Sequence, residues 1–268
     1  MNPSPLLAQL SLQAQLQTLM SPLGQVAPWS QVITPAAPPV LYRVKQVWPI
    51  AYRSPLLQQV KNGDRFALVA QLRAQLPIHP AWQIQINERS SLDFQWQEGA
   101  IAPYLHSLWS APWESDLRSD LETPKIQNAV GAGFKPAPTT DLPLEKLSPE
   151  QLQLQYCHGR CCSLLALAQR EGFGVPARPD WLSLNGMGDR AFFSVWLTCG
   201  DSLASDRQSL KSLLQLTHAW HRWYAQSQIW GTTPPHLAQA RLALIALMQR
   251  LLGFYLRQYY GLEPWRST

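Results

Sequence analysis

Apolar and polar positions recur with different periods along the chain. Leu6, Leu7, Leu10, Leu12, Leu16, Leu19 and Met20 return at three- and four-residue steps with Gln between them. That is the spacing of one helix face, so a single helix is expected over 5–20. Ser4 suits its N-cap, and Pro5 the first helical position, where a missing N–H costs nothing. Pro22, Pro28, Pro35, Pro38 and Pro39 then break the chain into extended pieces. Residues 40–48 alternate like a strand. Residues 55–60 read as helical, as do 64–76, where Asp64 caps a face of Phe66, Leu68, Val69, Leu72 and Leu76. Trp82 to Ile86 and Leu92 to Trp96 alternate at period two, which predicts paired strands around a polar turn at 87–91. A short helix over 99–108 closes a small α+β unit, with a domain expected over 1–109.

The next stretch, 110–147, has no sustained period. It is rich in Pro and Gly, with Asp116, Asp120, Glu122, Thr139 and Thr140 among them, and reads as a linker or disordered insertion. From Ser148 the pattern is helical. Ser148, Pro149 and Gln151 form a capping-box signature, and the helix they open runs to about Glu171, before Gly172. Further helices are expected over 189–199, over Asp206 to about Ser227, and over His236 to about Tyr260, where Gly261 ends the last. The fold class is therefore an α+β N-terminal unit followed by an all-α helical bundle over 148–268.

Composition narrows the class. Of 268 residues, 46% are hydrophobic and only 15% charged. A typical soluble domain carries about 25% charge, so Gln, Ser and Thr take much of the polar duty. The apolar fraction excludes disorder throughout, and the 23 prolines exclude a coiled coil. The net charge is +5. From Ser148 onward eleven basic residues face seven acidic ones, whereas the first 147 residues carry eleven and ten. Any electrostatic footprint lies in the C-terminal half, and it permits a nucleic-acid partner without demanding one. The start of the chain lacks the charged and apolar regions of a secretory signal. No apolar run approaches the ~18 residues of a membrane span. Four cysteines at 157, 161, 162 and 199 form no disulfide framework, and a reducing cytoplasm is expected.

The run Leu154-Gln-Tyr156-Cys-His158-Gly-Arg160-Cys-Cys-Ser163-Leu-Leu resembles the opening helix, L-Q-Y-A-H-A-R-x-x-S-I-L, of the DALR anticodon-binding domain of arginyl-tRNA synthetases. Trp220-His221-Arg222-Trp223-Tyr224 resembles that family's F-H-x-F-Y block, and Ala240-Arg241-Leu242-Ala243-Leu244 its A-R-L-A-L. The stretch from Leu251 to Pro264 resembles its closing segment, with a different register and different final residues. Earlier, Asn62-Gly63-Asp64 with the following helix, and the strand Leu92 to Trp96, are similar to features of the synthetase's N-terminal tRNA-contacting domain. The departures matter as much. No H-x-G-H or K-M-S-K type motif is present, the letters D-A-L-R do not occur, and residues 110–147 leave no room for a catalytic domain. The resemblance implies the tRNA-binding ends of the enzyme without its catalytic engine, and no cofactor.

Under that resemblance the expected partner is tRNA or another structured RNA, with a protein partner as the alternative and no membrane. Tyr224 and then Tyr156 are the candidate base contacts, because aromatic faces stack unpaired bases. Arg160, Arg222, Arg241 and Arg257 are the candidate phosphate contacts. Each also fits a plainer role: the tyrosines as core residues with one hydroxyl partner, the arginines as a solvated helix face. Cys157, His158, Cys161 and Cys162 lack paired C-x-x-C spacing and read as buried thiols rather than metal ligands. Ser163 and His158 point about 140° apart around one helix and make no nucleophile–base pair. The second reading of the chain, favoured by its low charge and 12 tryptophans, is an interaction protein that kept the bundle and lost the RNA.

Overall fold

The structure is a computed structural model that describes residues 5–21, 39–44, 50–59, 70, 74, 81–87, 91–113, 147–205 and 209–265. Most of the expected helix over 64–76, of which residues 70 and 74 are helical, and most of the expected linker lie outside the described residues. Two compact units result, one of residues 1–105 with 200–206, the other of 106–199 with 207–268. The molecule is mixed α and β, with a small antiparallel sheet in the N-terminal part and helices in the C-terminal part.

The first unit opens with two helices rather than the single expected one, α1 (Pro5–Leu10) and α2 (Leu12–Met20). Ser11 makes the break. Its backbone is extended, and its hydroxyl accepts the Ala14 N–H as the N-cap of α2. A mid-run Ser in a leucine face is readily read as one more helical residue, yet its side chain competes for the backbone. The sheet holds β1 (Tyr42–Val44), β2 (Ala51–Ser54), β3 (Trp82–Ile86) and β4 (Leu92–Trp96), all antiparallel in the order β1-β2-β4-β3. A four-residue helix, α3 (Leu56–Gln59), follows β2. Of the strand expected over 40–48, residues 42–44 are in β1 and 45–48 lie outside the described residues; β2 was not expected at all. Four residues reading Ala-Tyr-Arg-Ser carry too little alternation to be seen.

The pairing explains how this sheet manages with few charges. Trp82 lies opposite Trp96, Ile84 opposite Phe94 and Ile86 opposite Leu92, so one face joins three apolar pairs. On the other face Gln83, Gln85, Gln95 and Gln97 form amide bonds of 3.2 to 3.5 Å, and Arg53 clasps Asp93 with two bonds of 2.7 and 2.9 Å. A short turn at 98–100 leads into α4 (Ile101–Ser110). Tyr104 on that helix sets its ring edge-on to Trp96 and donates its hydroxyl to the Leu10 carbonyl.

The second unit is built from α5 (Pro149–Arg170), α6 (Met187–Ala204), α7 (Ser209–Gln226) and α8 (Pro235–Tyr260), the last five residues of α6 belonging to the first unit. The capping box at Ser148 and Gln151 forms in full, and Gly261 closes α8 in the left-handed conformation at φ 61°. α6 runs past the 199 expected, because Gly200 is helical and Leu203 adds a buried position. α5 packs on α7 and α8.

α8 is the core of the unit. Every residue from Leu242 to Gln249 and from Leu251 to Leu256 is buried, which makes it apolar on all faces, as a helix wrapped by others must be. By length and composition it is apolar enough to cross a membrane, with 78% of that window buried inside the protein. No uninterrupted apolar run is needed for this, and Gln249 and Arg250 hide it from a simple count. Cys157 and Cys161 are fully buried on the face of α5 that carries Leu154, Leu164 and Ala168. Burial pushes the Cys161 thiol well above its ordinary range, with the hydrogen bond it donates to Cys157 adding to the shift. Cys157 and Cys161 are packing thiols, as expected, whereas Cys162 is only half-buried. Of the tryptophans, 96, 113, 181, 196, 220 and 223 are buried, which also matches their reading as mostly core.

Candidate nucleic-acid interface

Two faces of α5 have opposite duties. On the inner face Gln155 donates from Nε2 to the Glu263 carbonyl at 2.8 Å and accepts the Trp265 N–H at 2.8 Å. His158 Nδ1 lies 2.9 Å from the Trp265 carbonyl. These two side chains, both nearly fully buried, bind the segment after α8 as a strand would. Cys162 accepts from Gln249 at 3.1 Å, and Ser163 donates to the Gly159 carbonyl at 3.0 Å. Much of the α5 run from Leu154 to Ser163 therefore serves the fold.

The outer face is different. Tyr156 is 58% exposed and Arg160, one turn on, is exposed as well. Across from them, α7 presents His218, His221 and Tyr224. Tyr156 and His221 stack at 6.1 Å with 29° between their planes. Tyr224 stacks on the buried Trp220 at 5.6 Å and 9°, which holds its ring at a fixed tilt on the helix. The Arg160 guanidinium lies 5.8 Å from the Tyr224 ring centre, within cation–π reach. The Gln153 amide lies 3.2 Å from His218 Nε2. His221 is pushed below the ordinary histidine pKa, first by partial burial, then by the positive charges of His218 and Arg160.

Beside Tyr224 the chain opens a groove of about 550 Å³ with Ser227, Gln228, Ile229, Trp230 and Thr232 on its walls. The loop that forms it is braced. Thr233 donates to the Gln228 carbonyl at 3.0 Å, and Arg241 Nη1 makes a short bond to the same oxygen. Trp230 meets Phe173 edge-on at 5.6 Å, and Gly231 takes φ 80°, a left-handed turn that other residues adopt only with strain.

The expected site residues thus separate. Tyr156, Arg160 and Tyr224 come together on one face. Arg241 holds the groove loop from within and is only half-exposed. Arg257 sits at the end of α8, 3.6 Å from Glu263, with its side chain 16% exposed. Arg222 is exposed on α7, two residues from Tyr224 and so on another side of that helix. Sequence reasoning singled out neither His218 nor His221. Their three-residue spacing on one helix, continued by Tyr224, was the available signal. Among the described residues no group of three or more His, Cys, Asp or Glu side chains is placed to hold a metal ion.

Compared with known proteins, the chain matches no family model, no curated protein and no solved structure.

Proposed function

We propose that this chain is a non-catalytic RNA-binding protein related to arginyl-tRNA synthetase. On this reading its C-terminal helices are a bundle of the DALR anticodon-binding kind that grips unpaired bases of tRNA or another structured RNA. The observation that carries it is the outer face of α5 and α7. There two tyrosines, each stacked on another ring, stand with an exposed arginine beside an open groove. Pre-oriented aromatic faces with a neighbouring cation are what an unstacked base and its phosphate require. The test is filter binding of total tRNA at two salt concentrations. Binding that weakens steeply with salt is expected, as phosphate contacts release counterions. Absence of binding at low salt overturns the proposal.

One observation favours the second reading, a protein-interaction scaffold. Of Arg160, Arg222, Arg241 and Arg257, only Arg160 stands at Tyr224. If tRNA does not bind, the exposed Leu182 and Met187, at 67% and 88% exposure, are the first apolar positions to probe for a protein contact.

A further inference from the structure

The basic groups around Tyr224 differ from three other arginines of their unit. Arg241 donates to the Gln228 carbonyl, Arg250 lies on the Trp109 ring and donates to its carbonyl, and Arg257 meets Glu263. Each of these is spent on the fold. Arg160, His218 and His221 are crowded together instead, and among the described residues none of them has a carboxylate partner. The charged and titratable groups around His221 are Tyr156 and Arg160 from α5, and His218, Arg222 and Tyr224 from its own helix. Basic side chains held close without an acid are stable as neighbours only because water and neutral imidazole relieve the repulsion. The partner that this arrangement lacks is an anion.

We propose that Arg160, His218 and His221 form a phosphate-binding patch for the phosphodiester of an RNA strand whose base lies against Tyr224 or Tyr156, with His221 joining as an imidazolium. This rests on the RNA-binding reading above and assigns residues and a pH dependence that it does not contain. A phosphate set among these three groups replaces repulsion by attraction. It draws a proton onto His221, whose free form resists protonation because of burial, His218 and Arg160. Binding and proton uptake are then linked, so affinity rises as pH falls.

The experiment is a titration of the full chain with a short RNA hairpin bearing an unpaired loop, at pH about 5.5 and about 8, on either side of the ordinary histidine pKa of about 6.5. The wild type is expected to bind about tenfold tighter at the lower pH, the gain one coupled proton can supply. His221→Gln is expected to bind RNA with a shallower pH profile, the remaining dependence coming from His218. His221→Arg is expected to bind tightly at both values, because its charge is permanent. Thermal melting checks that the variants fold, and the imidazole NMR signal of His221 in the wild type keeps the test open if they do not. Its titration is expected to move upward on adding RNA, and a signal that stays put overturns the proposal. A wild type that binds RNA equally at both pH values overturns this inference and leaves the proposed function standing. No RNA binding at low salt at either pH overturns both. Tripolyphosphate binding as tightly as the hairpin assigns the patch to a free polyphosphate and overturns its assignment to RNA.

Discussion

Two polar clusters, one in each unit, contrast sharply. In the first unit Asp201 accepts hydrogen bonds from Ser11 Oγ at 2.9 Å, from the Gln13 N–H at 3.0 Å and from the Tyr52 hydroxyl, with Arg43 at 3.9 Å. Its side chain is 10% exposed. Every partner is internal, and the carboxylate lies at the N-terminus of α2, where a negative charge is favoured. On the outer face of α5 and α7 in the second unit, the polar groups are open to water and meet rings or one another rather than an opposite charge. A cluster closed by its own partners holds the fold. A cluster of one sign left open is available to a ligand. The difference lies in partners, since both clusters mix aromatic and charged side chains.

The sharpest way to break this comparison is to remove the centre of the closed cluster. Asp201→Ala strands two hydroxyls and one helix-start N–H away from bulk water. Deleting one member of such a buried charged network costs about 3–5 kcal/mol. Urea unfolding should show that loss, while Arg160→Ala on the open face should change stability by no more than about 0.5 kcal/mol. Equal effects for the two would dissolve the distinction. The neighbouring Gly200 makes the same point sterically. A Cβ there would stand 2.2 Å from the Leu10 carbonyl oxygen, which is backbone and cannot swing aside.

Next in size is the inner face of α5. Gln155→Ala leaves the Trp265 N–H and the Glu263 carbonyl without their amide partner, at about 1–3 kcal/mol for the buried groups. Hydrogen exchange at the Trp265 amide should quicken in this variant. On the outer face, Tyr224→Ala should leave the melting temperature nearly unchanged and weaken RNA binding by about 1–3 kcal/mol, the worth of one stacked base. Stability lost without binding lost would make Tyr224 a packing residue.

How much of this was legible along the chain follows from range. The capping box at Ser148, the left-handed Gly261 and the β3–β4 pair all appear where local pattern put them, because each is decided within a few residues. The buried thiols of α5 follow from their periodicity. The Asp201 cluster was invisible. Its partners lie 149 to 190 residues away in sequence, and nothing near Asp201 advertises them. Arg241 and Arg257 looked the same as Arg160 in sequence, since a cation declares its role only through what stands opposite it. His221 was in plain sight in the sequence, and its surroundings appeared only with Tyr156 and Arg160 placed beside it from another helix.

The smallest expected effect separates the clusters by pH. Burial raises the pKa of Asp201, against the opposing pull of Tyr52, the Gln13 N–H, Arg43 and Ser11. A carboxyl whose folded pKa is raised adds stability that is full below the unfolded value of about 3.9 and is lost as pH rises through the folded one. Acid therefore does not loosen this cluster. It relieves it, since the proton cancels a charge that burial disfavours. Asp201→Asn has no such proton to gain. The stability of the wild type relative to Asp201→Asn should be greater at pH about 4 than at about 7, read from urea midpoints at the two values. The His221 cluster runs the other way in the free protein, because a histidine with a depressed pKa binds fewer protons folded than unfolded. Its contribution to stability falls as pH drops through the ordinary histidine range of about 6.5. His221→Gln should flatten that loss, and RNA should reverse it. On the proposed reading, the closed cluster is completed within the fold and the open cluster by an anion.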